Sequence, residues 1–341
     1  MQKTTPDISV LMPVYNDGAT VEKAIQSILS QTHENFELLL VDDGSGEETS
    51  GLLQKIESRD SRVRLFHREH SGIVGALNYG LNRARGQLIA RMDADDWSWP
   101  ERLELQCGLL GERPDIGLAS SMVEFGGNRR SQAGYAAYVD WTNQLLSPEQ
   151  IALNRFVESP IAHPTVMFRR ELAAQYGGYR EGDFPEDYEL WLRWMDRGVQ
   201  MAKVPEVLLR WNDPTDRLSR TDSRYSFQAF YEIKAKWLAE WLARHNPCHP
   251  DVVIWGAGRT TRKRAALLEK YGVQITAWVD IDPNKIGHKV GGCPVLSPEE
   301  LPEPGSAFVV GYVGRRGARE EIRSDLEKRG YRFGQNALSA A

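Results

Sequence analysis

Apolar and polar positions along the first 125 residues follow two alternating periods. Residues 8–12 (ISVLM) form a short apolar run that predicts a strand. Thr20 then stands where a helix cap belongs, ahead of the 3.6-period stripe Val21, Ala24, Ile25, Ile28 and Leu29. Residues 36–41 are nearly continuously apolar, as in a strand buried on both faces. A polar helix, a strand over 62–67, a helix over 73–85 stopped by Gly86 and a strand over 88–92 follow. Ser98-Trp99-Pro100-Glu101 has the spacing of a capping box, and residues 116–125 read as another strand. Such alternation predicts an α/β fold, a mostly parallel sheet with helices on both faces.

Beyond residue 125 the pattern loosens. Residues 126–134 read as a polar loop, 165–168 as a strand and 187–197 as a helix. A long helix is predicted over 224–244, with Phe230, Ile233, Trp237, Trp241 and Leu242 on one face. That stripe fits packing against another element, and leaves open a membrane interface for Trp237 and Trp241. Asn246-Pro247-Cys248-His249-Pro250 breaks the helix. Alternation then restarts: strands at 252–255, 275–279 and 307–310, helical stretches at 265–271 and 318–329. The expected organisation is a first domain over 1–222, a helical linker over 223–250 and a small Rossmann-like domain over 251–341.

Composition narrows the function. The chain has 341 residues, 41% hydrophobic and 26% charged, with a net charge of −5. Residues 251–341 carry 14 basic and 11 acidic side chains; the first 250 carry 28 and 36. The larger part therefore has the wrong sign for a general nucleic-acid binder. The three cysteines, Cys107, Cys248 and Cys293, are far apart and form no CxxC, so neither a disulfide framework nor a thiolate zinc site is indicated. No signal peptide and no run of about 20 apolar residues is visible, which predicts a cytoplasmic protein. Peripheral contact with the inner face of the membrane and homo-oligomerisation stay open.

Two acidic clusters fall at predicted strand ends, Asp42-Asp43 and Asp93-Ala94-Asp95-Asp96. Ligands of open parallel sheets bind at that edge, and a hard cation such as Mg²⁺ or Mn²⁺ wants oxygen ligands there. Without a cation the three close carboxylates repel one another. Farther on, Glu186 and Asp187 open a predicted helix, where capping and service as a general base are both open.

Residues 7–220 resemble the inverting family 2 glycosyltransferases, which have the GT-A fold. The likeness rests on Ser9-Val10-Leu11-Met12-Pro13-Val14-Tyr15-Asn16, on Val41-Asp42-Asp43-Gly44-Ser45 and on His70 to Asp96 (HSGIVGALNYGLNRARGQLIARMDADD). It implies a metal-dependent transfer of a sugar from a nucleotide-sugar, with UDP as the favoured nucleotide, to a hydroxyl of a glycan or lipid-linked saccharide. Pro13 and Tyr15 would line the base pocket, with Asp17 nearby, and Asp43 would accept a hydrogen bond from the base. Asp93 would reach the ribose or the metal, and Asp95 would be the principal ligand of Mn²⁺ or Mg²⁺. Phe184-Pro185-Glu186-Asp187 matches the family's Glu-Asp motif, making Asp187 the catalytic base and Glu186 its orienting partner. His163 would lie near the metal or diphosphate, and Arg217 on a loop closing over the diphosphate.

The second domain opens with a strand and Gly256-Ala257-Gly258, with Asp280 ending the next strand. That is a partial dinucleotide fingerprint, because Thr261 stands where a third glycine belongs. Residues 251–335 are similar to the Rossmann-like domain of bacterial sugar acyltransferases, which holds a nucleotide-sugar. Two rival functions remain. One is an NAD(P)-dependent oxidoreductase or epimerase run by this domain, although no tyrosine has a lysine four positions on. The other is a non-catalytic scaffold.

Overall fold

The computed structural model describes residues 5–213, 217–315 and 317–341. They form two compact units. The first comprises the chain up to residue 151 with 161–182 and 186–221; the second comprises 152–160, 183–185 and everything from 222 onward. The helix expected to link two domains is thus part of the second unit.

The first unit is built on strands β1 (Ile8–Val14), β2 (Phe36–Asp42), β3 (Val63–His67), β4 (Leu88–Arg91), β5 (Trp97–Ser98), β6 (Ile116–Phe125), β7 (Met167–Arg169) and β8 (Gln200–Trp211). Their order in the sheet is β3-β2-β1-β4-β7-β6-β8-β5. β1 to β4 are parallel, as the pattern predicts, whereas β7 runs antiparallel to both β4 and β6. All residues of β1 and β2 are buried, which explains why both read as apolar runs instead of alternating. The order reverses at β1, which has β2 on one side and β4 on the other, so the crevice at their carboxyl ends is a topological switch point.

The helices α1 (Val21–Leu29), α2 (Glu47–Glu57), α3 (Gly72–Leu81) and α4 (Arg102–Glu112) follow the strands as expected, but two caps differ. Thr20 occupies the N-cap of α1 without a side-chain capping bond. The expected capping box at Ser98 does not form: α4 begins at Arg102, and Ser98 is buried on β5. Gln31 caps α4 from a distance, its Oε1 accepting from Leu103 N at 2.9 Å. A tertiary partner thus satisfies an amide that sequence spacing assigned to a local one. α3 lies close on the sheet at Gly80, where a Cβ would come within 2.1 Å of Leu11 Cδ1; overpacking there would cost about 1–3 kcal/mol. The polar stretch after β6 gives way to α5 (Ala133–Thr142), and α6 (Pro148–Asn154), α7 (Arg170–Tyr176), α8 (Glu186–Asp196) and α9 (Leu218–Thr221) complete the helices up to residue 221.

The second unit contains α10 (Phe227–His245) and a six-stranded sheet of β9 (Asp251–Trp255), β10 (Gln274–Val279), β11 (Lys289–Val290), β12 (Cys293–Leu296), β13 (Val309–Gly311) and β14 (Ala337–Ser339). The order is β11-β12-β10-β9-β13-β14, all parallel apart from β11. Helices α11 (Arg259–Ala265) and α12 (Ala318–Lys328) flank it. The aromatic stripe of α10 is a packing face: Trp237 and Trp241 are buried, and Trp241 lies 6.3 Å from Phe156 and 6.0 Å from Phe308, ring to ring. Lys234, fully buried on the same helix, donates to Val157 O (3.1 Å) and Ala340 O (2.8 Å), fastening residues 152–160 and the carboxyl terminus to α10. Among the described residues no helix is long and apolar enough to cross a membrane.

Candidate active site

Three strand ends meet at the switch point of the first sheet. After β1 comes Tyr15, 47% exposed, while Pro13 is buried within the strand. Asn16 adopts a positive φ of 58° and joins this turn to the one after β2: its amide donates to Ser45 Oγ (3.0 Å) and its Oδ1 accepts from Gly46 N (2.9 Å). Asp17 is half-buried beside it, 3.5 Å from Tyr15 N.

At the end of β2, Asp42 accepts from Ser45 N at 2.9 Å and pairs with His67 Nδ1 at 3.0 Å. Burial raises its pKa, yet bonds from Ser45, His67 and Ser50 outweigh that and hold it below the usual range. Asp43, expected to accept a hydrogen bond from the base, has its carboxylate at the start of α3, accepting from Gly72 N (2.8 Å) and Ser71 N (3.2 Å), with Arg68 Nε at 3.3 Å and His70 Nδ1 at 3.0 Å. Those unpaired helix amides attract an anion, which explains why a buried carboxylate is tolerated there.

The turn after β4 carries the charge imbalance. One carboxylate oxygen from each of Asp93, Asp95 and Asp96 can be chosen so that all lie within 4.8 Å of one another. Arg91 forms an ion pair with Asp93, and fully buried Arg102 braces the turn through Arg91 O (2.8 Å) and Pro164 O (3.0 Å). Asn212, at the end of β8, donates its amide to Asp96 Oδ1 (2.8 Å) and its Nδ2 to Asp95 O (2.7 Å). Asp96 Oδ2 is buried with no hydrogen-bond donor among the described residues. Burial and the charge of Asp93 push Asp95 up to about 7, against the pull of Arg217. Burial, Asp93 and Asp95 push Asp96 well above the carboxylate range. This donor set, hard oxygens and one orphaned acceptor, fits a divalent cation.

Arg217 is held beside that cluster, donating to Tyr135 OH at 2.6 Å and lying 4.5 Å from the Trp211 ring centre. Burial opposes its charge, but the Tyr135 oxygen and the three carboxylates raise its pKa further. Residues 214–216 of the expected loop lie outside the described residues, while Asp213 accepts from Gln132 Nε2 at 2.7 Å and pairs with Arg220.

Glu186 and Asp187 open α8 as predicted. Asp187 Oδ1 accepts from Tyr188 N at 2.7 Å. Burial, then the neighbouring Glu186 charge, push Asp187 up to about 7, which suits a proton acceptor at neutral pH. His163 is buried, with Nε2 2.8 Å from Tyr179 OH and Nδ1 3.9 Å from Glu186 Oε1. Burial, with Arg91 and Arg217, drives its pKa well below the usual value, so it is a neutral imidazole. It sits on the Glu186 side of the site and is outside the acidic triad. Arg91 acts electrostatically on Asp93, His163 and Asp187, so one guanidinium bears on both acidic groups. Arg102, Asn212 and Tyr135 lie outside the matched motifs, while His70 and Arg91 lie inside the block His70 to Asp96 but carry no role assigned from it.

Residues 9–177 match the family profile described as Glycosyl transferase family 2, and residues 249–329 match the one described as CoA binding domain. The O-antigen biosynthesis glycosyltransferase WbnJ of Escherichia coli is 30% identical over 244 residues, 70% of this chain and 89% of that protein. The amylovoran biosynthesis glycosyltransferase AmsE of Erwinia amylovora is 29% identical over 219 residues, 62% of this chain and 78% of that protein. Among solved structures, S. aureus TarS 1-349 in complex with UDP-GlcNAc superposes with a TM-score of 0.54 at 16% identity, covering 78% of this chain and 80% of that one. That likeness is one of fold; the two family profiles account for the two sheets, a GT-A unit followed by a Rossmann-like, CoA-binding type unit.

Proposed function

We propose that this chain, which belongs to glycosyl transferase family 2 and is a glycosyltransferase using a nucleotide-sugar donor, transfers the sugar of a UDP-sugar with inversion to a hydroxyl of a glycan or lipid-linked saccharide. Mn²⁺ or Mg²⁺ serves as its cation. The O-antigen and amylovoran names of two relatives support bacterial polysaccharide assembly as the setting. The observation that carries the reading is the pairing, in one site, of an acidic triad with an orphaned buried oxygen and a separate carboxylate poised near neutrality.

The roles follow from position. Tyr15, flanked by Pro13 and Asp17, faces the base, and Asp43 accepts a hydrogen bond from it. Asp95 and Asp93 hold the cation, with Asp93 in reach of the ribose. When bound, the cation stabilises the charge of the departing diphosphate as a Lewis acid. Asp187, oriented with Glu186, takes the acceptor proton as the acceptor oxygen bonds to the anomeric carbon and the bond to the diphosphate oxygen breaks on the opposite face. Arg217 adds a bidentate donor for the diphosphate, and His163 lies near the diphosphate. The second unit we read as a packing module, similar to the domain attached to sugar acyltransferases.

Calorimetric titration with UDP, GDP, dTDP and CMP, each with Mn²⁺ and with EDTA, tests this. UDP binding should require Mn²⁺ and weaken at least about 100-fold, or about 2.7 kcal/mol, in Asp95→Ala. Mn²⁺-independent UDP binding that survives Asp95→Ala overturns the metal assignment.

A further inference from the structure

We infer that His70 is a positioning residue for the nucleobase of the donor, an inference that rests on the nucleotide-sugar reading above. Its ring stacks on Tyr15, with centroids 4.1 Å apart and planes inclined by 24°. Its Nδ1 lies 2.9 Å from Asp43 O and 3.0 Å from Asp43 Oδ2. A backbone carbonyl only accepts, so Nδ1 carries the proton and shares it between the two oxygens. His70 therefore touches both residues assigned to the base, one through its face and the other through its edge.

Burial does not explain this arrangement. Tyr15 is 47% exposed and the His70 side chain 52% exposed, so the pair stands in solvent at the mouth of the site. Two exposed aromatic rings gain little by packing on the core, but a stacked pair that is half open to solvent is a ready platform for a planar heteroaromatic base. The backbone is shaped to permit the approach. Gly44 has φ +84°, and a Cβ there would lie 2.9 Å from His70 N. Ser71 N and Gly72 N, the next amides along, bind the Asp43 carboxylate and fix the segment that carries His70. The turns after β1 and β2 and the start of α3 thus form one ledge, with its aromatic ring ordered before the ligand arrives. Such preorganisation lowers the cost of binding.

The test compares the wild type with His70→Ala, His70→Phe and His70→Asn, titrated with UDP and with pyrophosphate, both in Mn²⁺. Stacking predicts that His70→Ala weakens UDP about tenfold, and that His70→Phe, which keeps the ring and loses the Nδ1–H, weakens it about threefold. His70→Asn, which loses the ring, should resemble His70→Ala. Pyrophosphate has no base, so its affinity should be unchanged in all three. In turnover, the donor KM rises with UDP affinity while kcat stays within about twofold, the signature of lost ground-state binding. The inference is overturned if all three variants bind UDP like the wild type, or if UDP and pyrophosphate weaken equally. A wild type that binds pyrophosphate and none of UDP, GDP or dTDP overturns the nucleotide-sugar reading itself.

Discussion

Both parallel sheets end strands in aspartates at the edge where ligands gather, and the two edges treat that charge in opposite ways. In the second unit Asp280, at the end of β10, is matched donor for donor: Ala257 N at 2.9 Å, Asp282 N at 3.0 Å and Lys285 Nζ at 3.1 Å. Burial opposes its ionisation, but these bonds win and its pKa falls. The glycine turn beside it is closed on one side only: a Cβ on Gly256 would come within 2.8 Å of Val313 Cγ2, whereas one on Gly258 would meet nothing within 4 Å. In the first unit burial and the mutual repulsion of the carboxylates outweigh Arg217, and Asp95 and Asp96 are both pushed up. Balance marks a turn that supports a fold. Imbalance maintained by buried, braced backbone marks a place that a cation and a substrate complete.

The comparison breaks most visibly at Asp187. If the first edge is the working one, Asp187→Asn removes the proton acceptor but leaves the donor site intact. kcat should fall about 10³-fold while UDP affinity in Mn²⁺ stays within about twofold. Rapid-quench turnover beside calorimetry reads both quantities. Retained turnover would move the base elsewhere.

A smaller effect sharpens the electrostatic argument. Glu186 is the neighbouring charge that helps raise Asp187 to about 7. The base must be ionised, so kcat/KM should climb as pH rises through that value and level off above it. Glu186→Gln removes the repulsion, favours the ionised form and should move the acid limb downward by about half to one pH unit. A limb that stays put, or moves up, would show that another group titrates there.

The difference between the edges also explains what the sequence disclosed. The acidic turn after β4 and the Glu186-Asp187 pair are local runs at element ends, so the pattern of strands and helices located them, whereas the Tyr15 turn and the role of Asp187 came from the family resemblance. Their partners come from elsewhere in the chain. Asn212 reaches the acidic turn from the end of β8, and Gln31 caps a helix that starts beyond residue 100. Asp43 was found at the right strand end, but its donors come from residues 68–72, which the β2–β3 pairing brings close. The stripe of α10 announced a buried face without saying that residues 152–160 would help cover it.

The least effect is expected where charge is already balanced. Lys285 is partly exposed, and such an ion pair contributes about 0–1 kcal/mol, so Lys285→Met should lower Tm by at most about 4 °C. Asp280→Asn should cost more, because amide donors to a buried carboxylate are charge-assisted. Its sign with pH is fixed: the folded pKa lies below the ordinary value of 3.8, so the stabilisation is full above that value and is lost as pH falls through the folded one. The two proteins should therefore differ in Tm at pH 7 and converge under strong acid. Sugar transfer by either variant should remain within about twofold of the wild type at temperatures where both are folded, since solvated or internally paired changes away from a site seldom exceed that. A folded Asp280→Asn protein that binds UDP normally yet transfers no sugar would show that the second edge works too, and that balance in the empty protein is no guide to function.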